Sequence, residues 1–289
     1  MSINPDEAAP LARQRHLLLA LLLALAAAAW ALLLWQSEGG EDGMAMASPT
    51  MGMAEPLFLA IWIVMMVAMM FPTAAPMILT FHQIQAGKRR HGERFVSTSV
   101  FVGAYLLVWA LAGILAYGGA VLAEALAAKA GLSPTAAARI GGAVLVFAGL
   151  YQLTPLKDRC LAKCRTPMGF IITNWRDGTR GALGMGFLHG VYCLGCCWVL
   201  FVILFPLGIM NIAAMAVLTL VIFAEKSLPW SRAVPRLTAA ALVAYGAVVI
   251  AAPRYLPTFA QGAAMEMPGG GAMPMQMDMP EMSKSPAQR

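Results

Sequence analysis

The sequence predicts an all-α fold, a polytopic transmembrane helix bundle of about seven spans, with the N-terminus cytoplasmic and the C-terminus outside. Three observations predict it. Hydrophobic residues make up 60% of the 289 positions and charged residues only 12%, with a mean hydropathy of +0.71; a soluble domain carries about 25% charged residues. Apolar runs close to the ~20 residues that cross a hydrocarbon core recur along the whole chain. The basic residues fall in alternate loops between those runs, which is the pattern that sets orientation in a bilayer.

The elements follow in order. Residues 1–16 form a cytoplasmic N-terminal segment carrying Arg13 and Arg15. The first span, 17–35, is read as uncleaved: it is longer than a signal-peptide core, and the small-residue site Ala45-Met46-Ala47 lies far beyond its end. An outer Met-rich loop, 36–56, contains Glu38, Glu41, Asp42 and Glu55 and no Lys or Arg. A six-helix metal-binding membrane domain, 57–252, then holds spans at 57–81, 95–123, 139–154, 182–206, 209–225 and 234–252. Pro72 and Pro76 sit inside the second span, where each removes a backbone hydrogen bond that a neighbour must replace. The tail, 253–289, reads as disordered and outer.

Charge in the loops fixes the sides. Lys88, Arg89, Arg90 and Arg94 follow span two. Lys157, Arg159, Lys163, Arg165, Arg176 and Arg180 separate spans four and five. Lys226, Arg232 and Arg236 follow span six. The positive-inside rule puts these three loops in the cytoplasm and makes the protein a multi-pass chain. The net charge of +6 is therefore a topology signal, and nucleic acid is not an expected partner. The lipid bilayer is.

Soft ligands are concentrated at four places. Eleven of the 21 methionines lie in GMAMASPTMGM (43–53) and MEMPGGGAMPMQMDMPEM (265–282): Met44, Met46, Met51, Met53, Met265, Met267, Met273, Met275, Met277, Met279 and Met282. Closely spaced thioethers collect a soft monovalent ion, Cu(I) first; the plain alternatives are compositional drift or adsorption to the membrane. In span two, Met65/Met69 and Met66/Met70 are pairs four residues apart on one helix face, although Met is also an ordinary core filler.

Span five carries Met185, His189, Cys193, Cys196 and Cys197, all on or beside one face. Three thiols and an imidazole in under three turns can supply a soft-metal site, and ionisable groups at membrane depth are functional candidates by default. Gly190 and Gly195 would let another helix approach this face. Counted at ~1.5 Å per residue, Cys193–Cys197 and Met65–Met69 both lie roughly 17–24 Å from the inner ends of their spans and could meet near the bilayer middle.

Cys160 and Cys164 form the fourth cluster, in the basic loop, where Lys163 and Arg165 are expected to lower the thiol pKa values. Two reduced bystander thiols are the alternative. Glu225 and Lys226, at the inner end of span six, read as charges snorkelling to the interface, with an ion pair facing the bundle as the other choice.

The pieces MMVAMMFPTAAPM, CLAKCRTP, HGVYCLGCCW and Glu225-Lys226 together resemble the predicted metal-binding integral membrane proteins, a bacterial domain of unknown function, over roughly residues 57–245. The resemblance implies a helical membrane fold, a multi-pass place in the inner membrane of a bacterial cell, and a metal-linked role carried at Met65, Met66, Met69, Met70, His189, Cys193, Cys196 and Cys197. It also implies a methionine where this chain has Phe201, which removes one possible ligand.

No Walker A lysine motif, nucleophile elbow, HExxH or pair of carboxylates within a span is present, which argues against a hydrolase or an ATP-driven pump. The expectation is a non-enzymatic protein that binds and passes Cu(I), with a copper chaperone or copper enzyme as protein partner. The rivals are a membrane thiol–disulfide oxidoreductase and a structural or assembly subunit of a membrane complex.

Overall fold

The computed structural model describes residues 5–39, 53–209, 211–228 and 233–257, and what it describes is helical. In chain order the helices are α1 (Pro5–Gly39), α2 (Glu55–Arg90), α3 (Thr98–Lys129), α4 (Pro134–Tyr151), α5 (Pro155–Arg165), α6 (Pro167–Asn174), α7 (Gly178–Val202), the single turn α8 (Leu204–Leu207), α9 (Ile212–Ser227) and α10 (Ala233–Ala251). A 3-10 turn, Pro253–Tyr255, follows. The starts are written locally. Pro134 and Pro155 open α4 and α5, and the Ser133 and Thr154 side chains accept from the Ala136 and Lys157 amides. Proline at the first helical position has no amide to leave unpaired, and the capping oxygen satisfies one that is.

Among the described residues, six helices are long and apolar enough to cross a membrane. The expected span at 209–225 corresponds to α9, which has 16 residues. At a rise of ~1.5 Å per residue it reaches about 24 Å, short of the ~30 Å of a hydrocarbon core. The outward faces are apolar: Leu115, Leu220 and Leu237 expose 76%, 68% and 71% of their surface.

The two prolines inside α2 open its hydrogen-bond ladder, and the packing answers one of them directly. Pro72 has no amide to give to the Ala68 carbonyl, four residues back. The Trp30 indole of α1 donates to that carbonyl instead, at 3.2 Å. The predicted repair of a proline break by a neighbour is thus made by a named side chain.

Small residues set the helix contacts. A Cβ on Gly186 would run into the Phe101 carbonyl of α3, and one on Gly190 would come within 2.8 Å of Val108. On the far side, α4 and α10 meet backbone to backbone. A Cβ on Gly246 would lie 2.7 Å from the Gly142 carbonyl, and one on Gly149 would lie 2.8 Å from that of Ala239. Such approaches need no side chain between the backbones.

A ladder of contacts sets α2 antiparallel to α7. Lys88 pairs with Asp177 at one end. Phe81 stacks on Phe101, which stacks on His189. Thr73 and Cys193 are bridged by Lys226. Trp62 meets Phe201 at the other end, with ring centroids 6.2 Å apart. The thioethers of α2 lie between the Trp62 and Thr73 rungs, hence on the same stretch of the bundle as Cys193–Phe201.

Candidate metal centre

The soft-ligand residues of α2 and α7 all face inward. Met65, Met66, Met69 and Met70 are at most 1% exposed, and Met185, His189, Cys193, Cys196 and Cys197 at most 2%. Helical period puts these side chains on the packed face, and the glycines of α7 let α3 close over it.

The cysteines of α5 join those of α7. The Cys160 sulfur packs so closely on α7 that a Cβ on Gly195 would meet it at 2.8 Å. Cys164 lies against Cys193 and Cys196. Gly195 was expected to admit another helix, and α5 is the helix it admits. The sequence put Cys160 and Cys164 in a loop apart from the α7 cysteines; the fold lays that loop, as α5, along α7. All five cysteines are free thiols.

The ends of two further helices reach the cluster. Tyr151, the last residue of α4, donates its hydroxyl to the Gly195 carbonyl at 2.5 Å. Lys226, one residue from the end of α9, reaches Cys193. The side chains at the ends of α4 and α9 therefore both reach the cluster.

Within the cluster the hydrogen bonds are unequal. The Cys196 and Cys197 thiols both donate to the Cys193 carbonyl, at 3.1 and 2.8 Å. The Cys193 sulfur instead lies 3.2 Å from the Tyr105 hydroxyl and accepts from the Lys226 ammonium at 3.1 Å. That ammonium also donates to the Thr73 hydroxyl at 3.2 Å, and Thr73 in turn touches the Met70 sulfur at 4.0 Å. One chain of contacts thus runs from a thiol of α7, through α9, to a thioether of α2. Among the described residues, no group of three or more His, Cys, Asp or Glu side chains is disposed to hold a metal ion.

His189 stands one turn before Cys193 in an aromatic box. Its ring stacks on Tyr105 and Phe101, with centroids 5.4 and 6.0 Å away, and meets the edge of Phe170. Both ring nitrogens are buried without a hydrogen-bond partner. Buried polar atoms are rarely left so. An imidazole with both nitrogens open, beside thiols, has the donor chemistry of a metal ligand.

Two expectations for the basic region are corrected. Lys163 and Arg165 do not lower the α5 thiols. Hydrogen bonding to Cys193 and Cys196, followed by burial, holds Cys164 well above its ordinary pKa. Burial, then the neighbouring Cys196, raises Cys160. The Arg165 guanidinium is spent elsewhere, donating to the Glu225 carbonyl. Nor do Glu225 and Lys226 snorkel to the surface. Glu225 is 1% exposed and pairs with Lys157 at 2.6 Å, and Lys226 turns its head into the thiols. Apolar flanks concealed these destinations; only the charged doublet in an apolar run signalled them.

Residues 59–249 match the PpoB2 family, described as a copper chaperone. The chain belongs to the PpoB2 copper chaperone family. The match spans about two thirds of the protein and contains α3 to α9 whole, with nearly all of α2 and α10. Every cysteine and the His189 box lie inside it. A copper-linked role for this PpoB2 member is thus established at the level of the family, in agreement with the resemblance carried by its motifs. No curated protein and no solved structure matches the chain. The methionines outside the match, at 44, 46 and 51 and in the tail, lie outside the described residues; Met53 packs against the core, its carbonyl accepting from Tyr117 at 3.4 Å.

Proposed function

We propose that this PpoB2 protein is an integral membrane Cu(I) chaperone that takes the ion from the outer side and presents it at the inner edge of the bilayer. Outer methionines collect Cu(I). The thioethers Met65, Met66, Met69 and Met70 line its way inward, and Cys193, Cys196 and Cys197, with Cys160, Cys164, Met185 and His189 around them, hold it for transfer. The chain acts by ligand exchange and not by catalysis. A copper enzyme or soluble copper chaperone receives the ion.

The observation that carries this is the convergence of sulfur. Residues separated by up to 132 positions, from Met65 to Cys197, are buried on one stretch of the bundle, and a polarisable monovalent cation is the guest such donors prefer. The membrane setting rests on the six long apolar helices and the outward leucines. The basic residues of α5 and the loop after α9 mark the cytoplasmic side, and Tyr151 and Lys226, at the ends of α4 and α9, reach the cluster from that side. The C-terminus is outside if the short α9 crosses with the others.

Purified full-length protein loaded with Cu(I) under anaerobic conditions should retain copper through gel filtration. The triple variant Cys193→Ser/Cys196→Ser/Cys197→Ser should not, and cells carrying it should change in copper sensitivity. Equal copper retention by both proteins would exclude this site.

One observation favours a second function. Cys164 beside Cys193 and Cys196 is also the arrangement of a thiol–disulfide exchanger. A mixed disulfide with a partner, trapped in cells by Cys→Ser variants, would support exchange; thiols that stay fully reduced under oxidising growth would remove it.

A further inference from the structure

The Lys226 side chain occupies a position that a lysine has little reason to take. It stands in the last turn of α9 and turns its head inward, to Cys193 and Thr73. A thiol of α7 and a hydroxyl of α2 thus face one cation, and that cation belongs to the protein. The residue as a whole is only half-buried, so its flexible stem has a route back to the surface.

A sulfur anion in apolar surroundings needs a positive partner, because an unpaired buried charge is costly. We propose that Lys226 is a tethered stand-in for the metal: its ammonium neutralises the cluster when copper is absent and swings out to the half-exposed side when Cu(I) enters. With Cys193 as thiolate, the exchange balances. One positive charge enters as Cu(I), one leaves as the ammonium, no bond to hydrogen breaks, and nothing is oxidised or reduced. The net charge of the site is the same before and after.

Two consequences distinguish this from a lysine that merely packs. A divalent ion making the same exchange would leave one surplus positive charge in a low-dielectric site, so Lys226 selects for monovalent cations. Because the ammonium competes for the same sulfurs, it also assists release: an incoming thiol from a partner removes Cu(I) while the lysine returns to Cys193. Thr73 gives the returning ammonium a second acceptor, and Tyr105 keeps the Cys193 sulfur in place.

This rests on the Cu(I) site proposed above, and the experiment separates the two. Full-length protein in detergent is treated with an amine-acetylating reagent, N-hydroxysuccinimide acetate, with and without one equivalent of Ag(I) as a redox-inert stand-in, and acetylation is read at each lysine by mass spectrometry. Lys226 should be protected without metal and become several-fold more reactive with Ag(I) bound, while Lys129 and Lys163 stay constant; Zn(II) should leave Lys226 protected. Retention of stoichiometric Ag(I) with no change at Lys226 would overturn the exchange and leave the metal site standing. Failure of the wild-type protein to retain Ag(I) would overturn both.

Discussion

The hydroxyl of Tyr151 donates to the carbonyl of Gly195 at 2.5 Å, and this one bond locks the end of α4 to the middle of the cysteine motif. Gly195 has no side chain to hold α5 away, so Cys160 settles against it. The sulfur cluster depends on that absence. Gly195→Ala would place a Cβ 2.8 Å from the Cys160 sulfur, and overpacking of this kind costs about 1–3 kcal/mol. The variant should show a lower melting temperature by tryptophan fluorescence and weaker Cu(I) retention. Pairing it with Cys160→Ala should restore much of the stability, since the clash is then removed.

The Lys157–Glu225 pair makes a different prediction, because both charges are buried. Glu225→Gln leaves the Lys157 ammonium without a counter-charge, which costs about 3–5 kcal/mol for a buried pair. The double variant Lys157→Met/Glu225→Leu removes both charges and should be closer to wild type than either single change. Thermal unfolding of wild type, Lys157→Met, Glu225→Leu and the double variant in one detergent checks this. A double variant as unstable as the sum of the singles would show that the pair is not a unit.

At the other end of the α2–α7 ladder, Asp177 is held below its usual pKa of 3.8, first by its hydrogen bond from Lys88 and then by that from Trp175. A carboxylate lowered by folding stabilises the fold while ionised. Its contribution is present above pH 3.8 and is lost as pH falls through the lower folded value. The site is exposed, so the effect is small. Asp177→Asn should lower the melting temperature slightly at pH 7, and the difference from wild type should vanish in strong acid. A difference that persists at pH 2 would locate the effect elsewhere.

Much of the fold was legible in the sequence because its signals are local. Apolar length acts within a single segment, and the long helices follow it. Helical spacing likewise turned Met65/Met69, Met66/Met70 and the His189–Cys197 face inward. What local signals could not give is how a loop folds back. Cys160 and Cys164 sit on a short polar helix whose place along α7 is set by Gly195 and by two long-range bonds, Lys157 to Glu225 and Arg165 to its carbonyl. Lys226 was misjudged for the same reason: snorkelling is the default for a lysine near a helix end, and only the contact with Cys193 shows where its charge is needed. The shortness of α9 was hidden because hydropathy does not mark where Gly208, with φ of 95°, breaks the preceding helix.

The central claim, that sulfur gathered from α5, α7 and α2 binds Cu(I), is tested most directly by copper K-edge X-ray absorption on the Cu(I)-loaded full-length protein. The account predicts a first shell made chiefly of sulfur, which disappears in the Cys193→Ser/Cys196→Ser/Cys197→Ser variant. A first shell of oxygen and nitrogen, or one unchanged by those three substitutions, would contradict it.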